Sequence, residues 1–328
     1  MIRPPSVMIP GDVSTDLRAA VTAAGIRRAL WSVQLGRCGP FARALAPALR
    51  RLLPVRGIGP LTNIVLGVPR GAAPSPAVGA IDGVTFELDL REALHRMVFL
   101  DLFSIELRRV VLPLLRSGDL VVDVGANFGF WSVLAAQRGC RVIAVEPVAR
   151  TRALLERNVE RNGLAAQVQI VAQALSDAPG SLTIAVPDGE SGQASSYPDT
   201  ESSLERETVA TTTLDALLGD RQIRFLKIDV EGHEWAVLHG ASGLLANGLI
   251  DHVLVEISSV VLTRAGRSVA EVAELLTAHG YEFARFVVAN EGLAPRGSYG
   301  RVTVSDLLLG VCAGDALFSR AGAQAARE

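Results

Sequence analysis

The chain has 328 residues, of which 49% are hydrophobic, 20% charged and 5% aromatic, a composition typical of a folded α/β protein with one large or two small domains. Its formal net charge of −2 provides no general attraction for nucleic acid, so nucleic acid is not expected as a partner. The three cysteines, Cys38, Cys140 and Cys312, are widely separated, which argues against a disulfide framework or a zinc site and favours a cytoplasmic location.

The first 80 residues are predicted to form an arginine-rich helical extension that ends in a linker. Residues 1–70 contain ten arginines and two acids, Asp12 and Asp16, which gives a formal charge of about +8. We interpret this segment as a solvated extension, and weak contact with an acidic membrane surface is the alternative. Residues 54–80 are rich in glycine and proline, as linkers are. The N-terminus lacks a secretory signal pattern, and no apolar run reaches the length of a membrane span.

Residues 81–318 are predicted to form the main domain, and residues 319–328 a flexible tail. At the start of the domain, alternating apolar residues predict a strand over 84–90, and a helical pattern extends over 93–115. Further strands are predicted at 120–124, 141–146, 167–173, 223–229 and 252–257, and helices at 130–138, 149–162, 233–246 and 268–279. This alternation is typical of a mainly parallel sheet with helices on both faces.

Two parts of the domain depart from the alternation. Segments 281–288 and 306–312 have no predicted helix between them, which favours an antiparallel hairpin at the edge of the sheet. Residues 187–207 are polar and rich in glycine and serine, which fits a lid over a substrate as well as a plain insertion. Ser195 and Ser196, in the middle of this loop, are candidate substrate-binding residues.

One segment places a glycine-rich turn between a buried strand and a helix. Leu120–Val124 is an apolar, β-branched run, and Gly125 and Gly129 allow a tight turn into the helix that follows. In such a turn, backbone N–H groups can approach a nucleotide-like ligand closely. The carboxylate of Asp123, at the end of the strand, would repel a pyrophosphate and attract a cationic or amine-bearing cofactor.

The next predicted strand, residues 141–146, also ends in a carboxylate, that of Glu146. A carboxylate at this position binds the ribose hydroxyls in NAD-binding units and in S-adenosylmethionine-binding folds alike. NAD binding needs the pattern G-x-G-x-x-G, but Asn127 occupies the middle glycine position and no third glycine follows. The sequence therefore favours S-adenosylmethionine, and an NAD-dependent oxidoreductase is the weaker alternative.

Four motifs in this order resemble the FkbM family of S-adenosylmethionine-dependent methyltransferases. They are Asp123-Val-Gly-Ala-Asn-Phe-Gly, Glu146-Pro147, Thr213-Leu214-Asp215 and Leu226-Lys-Ile-Asp-Val-Glu-Gly-His-Glu234. The resemblance implies a class I methyltransferase fold, a mainly parallel seven-stranded sheet with an antiparallel hairpin at its edge. It also implies O-methylation of a hydroxyl on a small molecule or glycan, such as a sugar or secondary metabolite. A catalytically silent scaffold that binds the same cofactor is the alternative.

The resemblance also implies a cofactor site. The glycine-rich turn would approach the methionine part of S-adenosylmethionine, Asp123 the region of its amino group, and Glu146 the ribose. The predicted cofactor-binding residues are Asp123, Gly125, Asn127, Gly129, Glu146 and Asp229.

His233 and Asp229 are the candidate catalytic residues. His233 lies at a predicted helix N-terminus, where the macrodipole disfavours imidazolium and keeps the ring able to accept a proton. Glu231, Glu234 and Glu256 are carboxylates at the same predicted sheet edge and are candidate substrate-binding residues. A site without metal is predicted, and Mg²⁺ held by Asp229 and Glu231 is the alternative.

Overall fold

The computed structural model describes residues 76–101, 103–187, 191–197, 204–288 and 313–323. The predicted N-terminal extension and the linker up to residue 75 lie outside these ranges. So do the end of the predicted tail and much of the polar loop. In the described ranges, no helix is both long and apolar enough to cross a membrane.

The described chain begins with a β-hairpin that the sequence did not predict in full. Strands β1 (Pro76–Ile81) and β2 (Val84–Asp89) pair in antiparallel fashion around a turn at Asp82 and Gly83. Both turn residues have positive φ, 48° and 87°, as two-residue hairpin turns require. Strand β1 therefore occupies residues 76–80, which the glycine and proline content had assigned to the linker.

The single helix predicted over residues 93–115 is wrong, since the chain forms shorter pieces. They are α1 (Ala93–Phe99), α2 (Ile105–Val111) and a 3₁₀ turn (Leu112–Leu114). Asp101 and Ser104 lie between the two helices with φ of 53° and 50°, in the left-handed region that a continuous helix cannot contain.

The central sheet has the predicted architecture. In the part of the chain that the structure describes, the sheet has seven strands: β3 (Leu120–Val124), β4 (Arg141–Val145), β5 (Val168–Val171), β9 (Ile223–Ile228), β10 (Ile250–Ser258), β11 (Tyr281–Val288) and β12 (Ala313–Arg320). They pair in the order β11-β12-β10-β9-β3-β4-β5, and only β12 is antiparallel to its neighbours. Because β3 and β4 are adjacent and parallel, their carboxyl ends lie side by side, and the two predicted cofactor-binding segments are brought together there.

The second strand of the edge hairpin was predicted in the wrong place. Strand β12 covers Ala313–Arg320, whereas the prediction was 306–312, a segment outside the described residues. Phe318 is fully buried and its ring contacts that of Phe283 edge-on. This packing stabilises residues 313–320 as the strand that pairs with β11. The strand also takes in residues 319 and 320, which had been predicted to belong to the flexible tail.

Helices cover both faces of the sheet. They are α3 (Phe130–Gln137), α4 (Ala149–Arg161), α5 (Leu214–Leu218), α6 (Glu234–His239), α7 (Ser242–Ala246), α8 (Ser259–Arg264) and α9 (Val269–Ala278). Successive side chains of β3 enter opposite cores, since Val121 packs on one face while Val122 and Val124 pack on the other. The helix predicted over 233–246 is two helices, which separate after Gly240.

A second, smaller sheet was not predicted as such. Strands β6 (Ala174–Leu175), β7 (Gly180–Pro187) and β8 (Leu204–Thr212) form a three-stranded sheet in the described chain. Strand β8 carries mostly polar residues, so no apolar run marks it. The apolar side chains of this sheet pack on Val148, next to the end of β4.

Candidate active site

A cavity of about 460 Å³ lies at the carboxyl ends of β3, β4 and β9, where ligands of open α/β sheets bind. Its polar lining includes Asn127, Glu146, Ser196, Lys227, Asp229, Glu231, His233, Glu256 and Asp315. Its apolar lining includes Leu94, Met97, Phe103, Leu107, Phe130 and Trp131 on one part, and Val148, Ala174, Leu182 and Ile184 on another. Elements distant in sequence thus enclose one space.

The turn after β3 needs glycine for two different reasons. Gly125 has φ of +76°, and a Cβ there would lie 1.8 Å from the backbone oxygen of Asp229. Gly129 has φ of +93°, and a Cβ there would lie 2.5 Å from Leu155 Cδ1. The first glycine lets the ends of β3 and β9 approach each other, while the second lets α4 pack on the start of α3. The predicted tight turn is therefore present, with Gly125 and Asn127 in the cavity wall.

Glu146 connects this turn to the next strand. Its Oε2 accepts a hydrogen bond from the backbone N–H of Asn127 at 2.9 Å, and its Oε1 accepts one from that of Val148 at 2.9 Å. Burial raises the pKa of Glu146 to about 7, although these two bonds oppose the rise. The carboxyl group lines the cavity, as a ribose-binding residue must.

Asp123 lies beneath the cavity and is not part of its lining. Its side chain is 1% exposed, and Oδ2 accepts a 2.6 Å hydrogen bond from Ser132 Oγ. Its Oδ1 lies 3.8 Å from Lys227 Nζ, which is therefore the nearest cationic partner. Burial raises the pKa of Asp123. In this geometry Asp123 holds Ser132 and Lys227, and its predicted contact with the cofactor stays a prediction.

Lys227 is the only lysine of the chain, and sequence reasoning gave it no role. It is 5% exposed, lines the cavity and donates a 2.8 Å hydrogen bond to Asp229 Oδ2. Burial would lower its pKa, but the carboxylates of Asp229 and Asp123 outweigh burial and raise it. A charged residue within the apolar run of β9 is a signal that could have identified it.

Two further carboxylates lie close to Asp229, the acidic member of this ion pair. Asp229, Glu231 and Glu256 each have an oxygen within 4.8 Å of the others. The charge of Asp229, together with burial, raises the pKa of Glu256 well above its usual value. Burial and the charges of Asp229 and Glu234 raise the pKa of Glu231 to about 8. The alternative of a metal at Asp229 and Glu231 thus gains a third oxygen ligand, although Lys227 already pairs with Asp229.

Two of the predicted substrate-binding residues have structural contacts instead. Glu234 is 3% exposed and absent from the cavity lining, and its Oε1 accepts the backbone N–H of Gly232 at 2.9 Å. Ser195 is buried and donates a 2.6 Å hydrogen bond to the backbone oxygen of Glu231. Both side chains shape the loop around Glu231. The neighbouring Ser196 does line the cavity, and its predicted role in substrate binding stays a prediction.

His233 precedes the first residue of α6 and lines the cavity. Its Nε2 lies 3.0 Å from Ser176 Oγ, and its ring stacks against Tyr197 at 6.1 Å between centroids. Its Nδ1 is buried without a hydrogen-bond partner among the described residues. Burial lowers the pKa of His233, and the carboxylate of Asp177 opposes this. The ring is therefore held neutral in the cavity wall.

Residues 123–283 match the family model described as the methyltransferase FkbM domain. These residues form a domain of the FkbM methyltransferase family. The match confirms the family predicted from the sequence motifs, and with it S-adenosylmethionine as the cofactor. A comparison with curated protein sequences gives no significant match.

Several solved structures are similar to this chain at low sequence identity. The methyltransferase FkbM from Methylobacillus flagellatus is 14% identical with a TM-score of 0.39, and the match covers 62% of this chain and 43% of that chain. TYW2 from M. jannaschii, in complex with AdoMet, is 14% identical with a TM-score of 0.36 and coverages of 76% and 88%. Magnesium protoporphyrin IX methyltransferase from Synechocystis, with bound SAM, is 15% identical with a TM-score of 0.36 and coverages of 62% and 71%. The chain thus spans less than half of the length of the FkbM structure.

The cavity of this FkbM domain fits S-adenosylmethionine on observations independent of the family. Gly125 and Asn127 line the cavity, and Asn127 Oδ1 is buried without a hydrogen-bond partner in the described ranges. Glu146 places a carboxyl group at the end of the adjacent strand, and Val148, Ala174 and similar apolar side chains follow it. The polar turn suits the amino-acid part of S-adenosylmethionine, the carboxylate suits its ribose, and the apolar wall suits its flat base.

Proposed function

We propose that the chain is an S-adenosylmethionine-dependent O-methyltransferase that acts on a hydroxyl of a small molecule or glycan. The observation that supports it most is that His233, with its buried Nδ1, lines the same cavity as Glu146 and the Gly125 turn. A proton acceptor and a cofactor cradle in one enclosed space are what methylation of a hydroxyl needs.

The cofactor cradle, formed by the turn around Gly125 and Asn127 together with Glu146 and Val148, would contact different parts of the cofactor with different residues. Glu146 would accept hydrogen bonds from the ribose hydroxyls, and the turn around Gly125 and Asn127 would hold the methionine part. Val148 and its apolar neighbours would contact the adenine base. When bound, S-adenosylmethionine supplies an electrophilic methyl group on a cationic sulfur. The carboxylate of Asp229 supplies negative charge to the same cavity.

His233 would act as the general base. Its pKa is lowered by burial, so the ring is neutral at physiological pH and able to accept the acceptor's hydroxyl proton. Glu231 and Ser196 line the cavity with it and would bind further hydroxyl groups of the acceptor. A polyhydroxylated acceptor, such as a sugar or a glycosylated metabolite, suits this polar wall.

A metal-assisted variant is the second candidate, favoured by the convergence of Asp229, Glu231 and Glu256. Against it, Lys227 Nζ already lies 2.8 Å from Asp229 Oδ2 and neutralises part of the group. We therefore expect a chelator to leave turnover unchanged. Loss of turnover on chelation that Mg²⁺ restores would select the metal-assisted variant.

The function is tested by incubating the purified chain with S-adenosylmethionine and a panel of hydroxylated acceptors, with mass spectrometry for S-adenosylhomocysteine and the methylated product. Release that depends on one acceptor class would support an O-methyltransferase. Tight calorimetric binding of S-adenosylmethionine without turnover on any acceptor would favour the silent scaffold. Binding of NAD in place of S-adenosylmethionine would favour the oxidoreductase.

A further inference from the structure

Ser176 contacts His233 from outside the cavity, at the end of the short strand β6. It is 8% exposed and absent from the cavity lining. Its backbone N–H donates to the backbone oxygen of Thr212 at 2.9 Å. A Cβ at Gly240 would lie 2.1 Å from Ser176 O, so the end of α6 packs directly on this backbone. Ser176 is therefore held in place from both sides.

The hydroxyl of Ser176 has two polar neighbours. Its Oγ lies 3.0 Å from His233 Nε2 and 3.1 Å from Asp177 Oδ1. A serine hydroxyl has one proton to donate, and a carboxylate can only accept. The hydroxyl proton therefore goes to Asp177, and the oxygen of Ser176 accepts from Nε2–H of His233.

This bond determines which tautomer the imidazole adopts. A neutral imidazole carries one proton, and Ser176 fixes that proton on Nε2. The lone pair is then on Nδ1, the atom that is buried and has no hydrogen-bond partner in the described chain. The stacked ring of Tyr197 limits rotation of the imidazole.

We propose that Ser176, oriented by Asp177, is a positioning residue that holds His233 in the Nε2–H tautomer, so that Nδ1 accepts the proton of the acceptor hydroxyl. This rests on the proposed function, because it assumes that His233 is the base. In the step, the O–H bond of the acceptor breaks, and the proton and Nδ1 lone pair form an N–H bond. The electron pair left on the acceptor oxygen forms a new bond to the methyl carbon of S-adenosylmethionine. The bond between that carbon and the sulfur breaks, and its electron pair stays on the sulfur.

The tautomer is measured on the cofactor-free protein by ¹⁵N NMR of labelled histidines, with His233→Gln to assign the signal. We expect the Nε2–H tautomer in the wild type. Ser176→Ala removes the hydroxyl that accepts the hydrogen bond from Nε2–H. Asp177 is exposed, so Asp177→Ala spares the packing but frees the Ser176 hydroxyl to donate to Nε2. Both variants should give mixed tautomers of His233. Asp177→Glu should restore the wild-type signal, and the exposed change Asp220→Ala should leave it unaltered.

Turnover gives the second readout, with the acceptor found by the panel. Ser176→Ala should lower kcat by at least about tenfold, part of the about 10²–10⁴-fold that a positioned base contributes, with little change in cofactor affinity. The proposal is overturned if His233 of the wild type is in the Nδ1–H tautomer, or if Ser176→Ala leaves the tautomer unchanged. It is also overturned if Ser176→Ala shifts the tautomer but leaves kcat unchanged. Full turnover of His233→Ala would instead overturn the base itself, and the NMR result does not depend on it.

Discussion

The imidazole of His233 is buried and neutral and lines the cavity, so its removal tests the base directly. His233→Ala should lower kcat by about 10²–10⁴-fold and leave the Kd for S-adenosylmethionine nearly unchanged, because the ring does not belong to the cofactor cradle. His239→Ala is the matched control, since His239 is exposed at the end of α6, the helix that follows His233, and stacks on Trp235. Equal turnover of the two variants would show that His233 is not the general base and has only a structural role before α6.

Glu146 provides a test of the cofactor cradle. Because burial raises its pKa to about 7, the carboxylate form is complete only above that pH. A carboxylate accepts stronger hydrogen bonds than a neutral acid, so affinity for S-adenosylmethionine should rise between pH 6 and pH 8. Glu146→Gln should abolish this rise and weaken binding by about 1.5–3 kcal/mol at pH 8, measured by calorimetry. The exposed Glu156→Gln is the control, and the same pH dependence in both variants would refute the assignment.

At the scale of elements, the turn between β3 and α3 depends on the close approach of β9. Gly125→Ala would place a Cβ 1.8 Å from Asp229 O at φ of +76°, so the two strand ends must separate. Gly163→Ala is matched in conformation, with φ of +68°, but meets nothing within 4 Å. We expect the control to lose about 1 kcal/mol of unfolding free energy and Gly125→Ala at least about 2 kcal/mol more.

Denaturant titration measures both glycine variants, and calorimetry should show that only Gly125→Ala loses cofactor binding. Equal losses of stability would mean that backbone conformation, rather than the approach of β9, explains the need for glycine at this turn.

For the whole molecule, the carboxylates collected at one sheet edge lower the stability of the fold as the pH rises. The pKa of Glu256 is raised in the folded state by the charge of Asp229 and by burial, so the folded state binds a proton that the unfolded state has lost. Its contribution to stability is complete below the unfolded value of about 4.5 and is lost as the pH rises through the folded pKa. Glu256→Gln, which cannot ionise, should therefore raise Tm by an amount that grows with pH.

Melting of the cofactor-free protein at pH 5, 7 and 9 measures this effect. The exposed Glu274→Gln should show a small difference from the wild type that does not change with pH. If the gain for Glu256→Gln were the same at all three pH values, the strain between Asp229 and Glu256 would not be the cause.

The order of the amino acids is enough to predict the local units of this FkbM methyltransferase domain. The periodicity of apolar residues predicted β3, β4 and β9 within a residue or so, and the position of Gly125 predicted the turn. Such features depend on neighbours along the chain, so they can be recognised without knowledge of the rest. The same holds for Glu146 and Asp229, since the carboxyl ends of parallel strands must meet at one edge.

Tertiary structure alone decided which polar side chains face the cavity. Asp123 and Glu234 are close in sequence to residues that line the cavity, but both are buried and accept hydrogen bonds from protein groups. Lys227 and Ser176 gain their roles from Asp229 and His233 through contacts that no local pattern encodes. The direction of a side chain at a strand end depends on what packs against it from other elements, and those elements are brought together only by the completed fold.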